Sequence, residues 1–166
     1  MWIGESFAGS GANAAHINVM VGPRSGPVGT AWATSLATPR IGYIPFVAVL
    51  APNVPSKPAT LFVNKADTRG ERHETLTWGA AQAGVARGVQ EALAEGAMPR
   101  EAADDWCVIV AVWVDWNADE AEQIYANNHQ ATLDAVRRAM NGAPALEECV
   151  AAMKSPHNPY FNPEAR

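Results

Sequence analysis

Most of the features that announce a function on sight are missing from this chain. It has no glycine-rich phosphate loop, no dinucleotide fingerprint, no nucleophile elbow and no paired-histidine metal motif. Gly9-Ser10-Gly11 is too short and has no helix behind it, so it reads as a turn. Charge is scarce too: 17% of the 166 residues are charged, with a net of -5. Lysine and arginine form no stripe able to displace counterions, which argues against a nucleic-acid partner. The two cysteines, Cys107 and Cys149, have no partners at metal-ligand spacing. They read as reduced core thiols, and no metal is expected. No apolar run approaches the ~20 residues that span a bilayer, so no membrane association is expected. The first residues, Met1-Trp2-Ile3-Gly4-Glu5-Ser6, show no basic stretch followed by an apolar one, and the expected location is cytoplasmic.

What is abundant is apolar surface. Hydrophobic residues make up 48% of the chain and six are tryptophan. A single domain over residues 1–166 can bury much of this, and a subunit interface is expected to cover more. No internal repeat, low-complexity tract or domain boundary interrupts it. Residues 2–8 and 14–22 read as a strand hairpin joined by the turn at 9–13. Residues 28–36 suit a short packed helix stopped by Pro39. Residues 46–50 and 60–65 are β-rich runs bounded by prolines, with a stiff proline-rich loop at 51–58 between them. From 71 to 95 the pattern is helical, with Leu76, Ala81, Val85, Val89 and Leu93 close to a 3.6 repeat and Gly96 as the stop. The run 108–114 is apolar on both parities, as in a central strand covered on both faces. A second long helix is predicted over 119–140, a shorter one over 145–153, and an extended tail at 155–159 that crosses onto a neighbouring chain. The expected architecture is α+β: a mostly single sheet with helices packed on one face.

Against this apolar background a few polar residues stand out. His16 lies inside a strand with Asn18 on the same face, and imidazole is the one side chain that both gives and takes protons near neutral pH. Asn64, Lys65 and Asp67 close another strand, Lys65 and Asp67 sharing a face if the strand extends that far. Gln82 sits among small residues on a helix. Each has a plain alternative: a satisfied core histidine, a strand-end lysine, a turn-forming aspartate, a solvated amide. Taken singly, none carries a function.

Their order along the chain carries more. Gly4-Glu5, Ala15-His16-Ile17, Val21-Gly22-Pro23-Arg24, the block Ala48-Val49-Leu50-Ala51-Pro52-Asn53, Lys57-Pro58, Thr60-Leu61, Asn64-Lys65 and Ala81-Gln82 resemble the formaldehyde-activating enzymes. So do Gly96, Ala102-Ala103-Asp104-Asp105, Ala131-Thr132 and His157, and the resemblance runs over essentially the whole chain. It implies an α+β fold like ribosomal protein S5 domain 2, and a ring of five subunits with a pterin site between neighbours. The implied reaction condenses formaldehyde with tetrahydromethanopterin, giving methylene-tetrahydromethanopterin and water, with the pterin as co-substrate. The family's histidine falls on His16, implied to be catalytic; its lysine falls on Lys65, its glutamine on Gln82 and an apolar pterin contact on Val47.

The chain departs from the family inside this set. Asn18 stands where the family has aspartate, Asp67 where it has a hydroxyl residue, and Val47 where leucine is usual; Trp32, Trp78 and Trp116 replace other apolar groups. A divergent paralogue is expected. Losing a carboxylate beside His16 removes a charge that favours imidazolium, so His16 is expected to be a weaker proton reservoir than its family counterpart. Asp67 restores the lost charge if its strand faces the same pocket; the competing expectation is that it pairs with Lys65 or caps a turn. Three readings stay open: the lyase, a catalytically weak paralogue that binds a pterin or senses and carries one-carbon units, and a ring acting on a different amine or aldehyde.

Overall fold

In the computed structural model, which describes residues 1–158 and 161–163, the amino-terminal hairpin forms within one residue of its predicted limits. Strand β1 (Trp2–Ala8) pairs antiparallel with β2 (Ala15–Pro23), joined by one 3-10 turn at Gly11–Asn13. Helix α1 (Pro27–Ala37) follows, with Pro27 opening its first turn, where a missing N–H costs nothing. The run at 46–50 splits into β3 (Phe46–Val47) and β4 (Val49–Ala51), the latter pairing with β5 (Val54–Pro55) in a separate two-stranded sheet. Ala48 marks the break: it is fully buried, and its N–H and carbonyl are bonded to Thr60 and Ser56 instead of to one continuous ladder. Strand β6 (Ala59–Asn64) then leads to helix α2 (Gly70–Thr75).

The helix expected at 71–95 forms without a break from Gly70 to Ala94, but it is not α-helical throughout. Leu76–Ala81 form a π-helical turn between α2 and α3 (Gln82–Ala94). The spacing explains it. Leu76 and Ala81, both buried, are five residues apart, one π turn, whereas Ala81, Val85 and Val89 recur every four. The wider turn keeps both halves of the apolar stripe on the sheet. Gly96, at φ 83°, ends α3 as expected. The short α4 (Ala102–Asp105) precedes β7 (Trp106–Trp113), then α5 (Ala121–Met140) and α6 (Leu146–Ala152).

The five-stranded sheet has the order β1-β2-β7-β6-β3, with β6 and β7 parallel and every other pair antiparallel. Strand β7 is central, as its composition predicted. Alternation sorts its side chains: Val108, Val110 and Val112 join Ile17, Val19, Val21 and Phe62 in the main core. Helices α3 and α5 close that side, α5 lying along β1 and β2. The two helices meet through Gly84 and Gly88, where an added Cβ would lie 2.5 Å from the Tyr125 carbonyl oxygen and 2.8 Å from that of His129.

Helices do not lie on one face only. Cys107, Ile109 and Leu61 point the other way and pack with Val28, Ala31 and Trp32 of α1. The physical reason is the two-sided apolarity of β7, which requires a cover on both faces. Helix α1 covers only one end of that second face. Cys149 also departs from expectation: it is exposed on α6, a helix with no buried residue, whereas Cys107 is a core thiol whose pKa burial raises. Of the tail at 155–159, residues 155–158 are described and Pro159 lies outside the described residues. No described helix is long and apolar enough to cross a membrane.

Candidate active site

The uncovered end of the second sheet face is where the hairpin register places its polar residues. Opposite Asn18 on β2 stands Glu5 on β1, and opposite His16 stands Phe7. On the other side His16 faces Trp113 and Asn18 faces Ala111 of β7. Because pairs directly across a ladder share a face, Glu5, Phe7, His16, Asn18 and Trp113 all project from the side away from α3 and α5. Lys65, the first residue after β6, stays in line through its N–H bond to the Val112 carbonyl (2.8 Å) and brings its amine to the same place.

The result is a line of three ionisable groups. Glu5 Oε1 is 3.1 Å from His16 Nε2, and Lys65 Nζ is 3.3 Å from His16 Nδ1. Lys65 Nζ also donates to the His16 carbonyl oxygen at 3.1 Å. The imidazole lies flat on Phe7, with ring centroids 3.8 Å apart and planes 6° from parallel, which fixes its orientation. Beside it opens a cleft of about 470 Å³, lined by Phe7, His16, Trp113, Asp115 and the turn at Gly9–Gly11.

Electrostatics set the protons. Burial lowers the pKa of His16 from its ordinary value, the Lys65 charge lowers it further, and Glu5 opposes both. Burial also brings Lys65 down to about 8, against the pull of Glu5. At neutral pH the resting site therefore holds a neutral imidazole between a carboxylate and an ammonium. Its Nε2–H donates to Glu5 and its Nδ1 accepts from Lys65. The leading causes of the lowered His16 pKa are burial and Lys65, and position 18 is not among them.

A test of this account lies in stability. Between pH 8 and about 10 the folded protein holds fewer protons on Lys65 than the unfolded chain, so stability rises with pH across that window. Below it, the half-buried ammonium is a cost. Lys65→Met is expected to stabilise the fold by about 1 kcal/mol at pH 7, after discounting for solvent screening. The gain should shrink by pH 10, read by urea unfolding at both values. A variant less stable than the parent at pH 7 would rule out desolvation as the cause.

The remaining predicted residues are spread out. Asn18 is half-buried on the same face, and among the described residues its amide has no hydrogen-bond partner. Val47 lies opposite Leu61 on the edge strand β3. Asp67 does not join the site: β6 ends at Asn64, so the shared face assumed for Lys65 and Asp67 is lost. Asp67 is exposed, its carboxylate lies against Gly42, and its carbonyl accepts from Trp116 Nε1 at 2.9 Å. Among the described residues it forms no ion pair with Lys65. The carboxylate at His16 comes from Glu5. Gln82 sits at the start of α3, behind the sheet, buried, with its Oε1 accepting the Val49 N–H. Asn64 is structural, donating to the Gly42 and Ala66 carbonyls at 2.6 and 2.7 Å.

Glu5, Phe7 and Trp113 are site residues that residue-by-residue reading passes over. The signal for the first two was partial: a hairpin places β1 beside His16, but only the observed register, one residue on from the expected limits, puts Phe7 opposite His16 and Glu5 opposite Asn18. Among the described residues no group of three or more His, Cys, Asp or Glu side chains is arranged to hold a metal ion.

Comparison with known proteins bears on this geometry. The sequence model of the formaldehyde-activating enzyme family matches residues 3–161. A 5,6,7,8-tetrahydromethanopterin hydro-lyase of Methanosarcina barkeri is 43% identical over 158 residues, covering 95% of this chain and 89% of the relative. Bifunctional Fae/Hps enzymes of Methanococcoides burtonii and Methanosphaera stadtmanae are 37% and 38% identical over 89% and 90% of this chain. The chain spans only 37% of the length of each of those two.

Proposed function

The chain belongs to the formaldehyde-activating enzyme family, and from that membership we propose that it is a hydro-lyase condensing formaldehyde with tetrahydromethanopterin to methylene-tetrahydromethanopterin and water. The observation that carries the proposal beyond family likeness is the Glu5–His16–Lys65 line beside an open cleft.

The chemistry needs such a line. A pterin nitrogen adds to formaldehyde to give a hydroxymethylamine, and water must leave before the second nitrogen closes the ring. Hydroxide leaves poorly, so an acid placed on that oxygen lowers the barrier. Neutral His16 becomes that acid by taking a proton from Lys65 at Nδ1, with Glu5 holding Nε2–H and stabilising the imidazolium that forms. Holding both nitrogens and the one-carbon unit together supplies the rest.

The separation of the predicted residues supports a site shared between copies. Gln82 lies behind the sheet, away from His16 and Lys65, and Val47 lies on the far edge strand. Trp78, 40% exposed, stands near Ile44 and Phe46 around an apolar recess close to β3. In our reading, the His16 face of one subunit receives this second surface from its neighbour in a ring of five. The two together enclose the pterin, with Asn18 available to hydrogen-bond it. Sedimentation would then give a pentamer, and Phe7 and Trp78 would lose their exposure to solvent quenchers.

The deciding experiment is the rate of methylene-tetrahydromethanopterin formation from formaldehyde at neutral pH, with the spontaneous reaction subtracted. A rate well above background is the expected result. No acceleration, together with saturable pterin binding in the same preparation, would leave the family and overturn the activity.

A further inference from the structure

Glu5, His16 and Lys65 have the geometry of an activated nucleophile: a nucleophilic atom within reach of a base, and the base held by a third group. We propose that Lys65 itself captures formaldehyde, carrying the one-carbon unit as a protonated imine before the pterin accepts it. The proposal rests on the condensation reading for its transfer step only; the capture stands without it.

The arrangement makes acid and nucleophile in one proton shift. When Lys65 passes a proton across the 3.3 Å to His16 Nδ1, it becomes a neutral amine and His16 becomes an imidazolium held by Glu5. The amine lone pair then bonds to the carbonyl carbon as the C=O π pair moves to oxygen. A proton passes from nitrogen to that oxygen, giving Lys65–NH–CH2–OH. His16 returns its proton to the hydroxyl, the C–O bond breaks, water leaves and the nitrogen lone pair closes the C=N bond. The product is CH2=NH+–Lys65, and the imidazole is neutral again.

Transfer is the reverse chemistry with a different amine. A pterin N–H nitrogen adds to the imine carbon, the C=N pair returns to Lys65 nitrogen, and the pterin proton follows it. Lys65 then leaves as its C–N bond breaks, the second pterin nitrogen bonds to the carbon, and its proton restores the ammonium. One formaldehyde and two N–H groups give N–CH2–N and water, with no oxidant or reductant.

The other two lysines lack this setting. Lys57 is largely exposed and paired with Asp104, and Lys154 is exposed on the surface. Lys65 is half-buried against the imidazole, and its pKa near 8 leaves far more free amine at pH 7 than an ordinary lysine near 10.4. Lower intrinsic nucleophilicity offsets part of that advantage.

The test is reductive trapping of the intact protein with limiting 13C-formaldehyde and cyanoborohydride at pH 7, mapped by peptide mass spectrometry. Methyl label is expected at Lys65 in excess of Lys57 and Lys154 by on the order of tenfold, from the difference in free amine. Label at Lys65 no greater than at the other two would overturn the proposal. Lys65→Arg, which keeps the charge but not the nucleophile, separates capture from function. Loss of catalysed condensation with pterin binding retained is expected, but because arginine also cannot pass a proton to His16, the trapped label at Lys65 decides for capture. A wild-type rate in this variant overturns capture and leaves the proposed activity intact. Label concentrated at Lys65 in a protein without condensation activity would support capture and overturn the activity.

Discussion

Replacing His16 with alanine is expected to lower the catalysed condensation by about 100- to 10,000-fold, the usual worth of a positioned general acid. Three contacts vanish together: Nε2 to Glu5, Nδ1 to Lys65 and the ring stack on Phe7. The fold should survive, because His16 is half-buried on the face that α3 and α5 do not cover. The loss therefore belongs to chemistry, and thermal unfolding within a few degrees of the parent would establish that. His16→Gln is the sharper companion. It retains a polar group of similar reach but no titratable proton, so it should be as slow as the alanine variant. A glutamine variant near the parent rate would show that His16 only orients and does not deliver a proton. The background reaction must be subtracted throughout, since formaldehyde and the pterin also condense unaided.

The second large effect concerns stability. Gly4 is buried on β1 where α5 crosses it, and an added Cβ would fall 2.0 Å from the Ala135 carbonyl oxygen and 3.0 Å from the Ala139 Cβ. Both a backbone oxygen and a packed side chain stand in the way, so the helix must shift bodily. Gly4→Ala is expected to cost roughly 3 kcal/mol, at the upper end of overpacking effects. For a chain of this length that lowers Tm by on the order of 10 °C. Gly79→Ala is the control. Apart from its own turn of helix nothing lies within 4 Å of its Cβ position, and the melting temperature should hold or rise slightly. A Gly4→Ala protein melting within 2 °C of the parent would mean that α5 tolerates displacement from the sheet.

Local pattern was a good guide wherever one physical rule acted alone. The hairpin, the central strand β7 and the limits of α5 followed from alternation, two-sided apolarity and helix-end charge. Pattern missed detail where two demands met. The stretch 71–95 satisfies a helical period only on average, and the five-residue step from Leu76 to Ala81 was absorbed into it although it encodes the π turn. The run 46–50 looked continuous, yet Ala48 leaves the ladder. The site was legible in its members and less so in its grouping. His16 and Lys65 were both in the candidate set and lie in contact, but Asp67 was placed with Lys65 on the assumption of a longer strand. Gln82 was identified by its place in the family order, and nothing in its neighbours tells which side of the sheet its helix covers. Glu5 lay outside the candidate set because a strand carboxylate is ordinary until the register puts it 3.1 Å from an imidazole.

The two-sided sheet has a consequence for how such a chain can diverge. Odd positions of β2, Ile17, Val19 and Val21, are fully buried and answer to the fold; even positions, His16 and Asn18, project from the opposite face, where His16 lines the cleft. A substitution on the even set changes the reagent without touching the scaffold. Asn18, which stands where the family resemblance implies an aspartate, is such a position, and Glu5 lies directly across the ladder from it. Selection can therefore retune proton supply at this surface one neighbour at a time, while the buried odd set stays as it is.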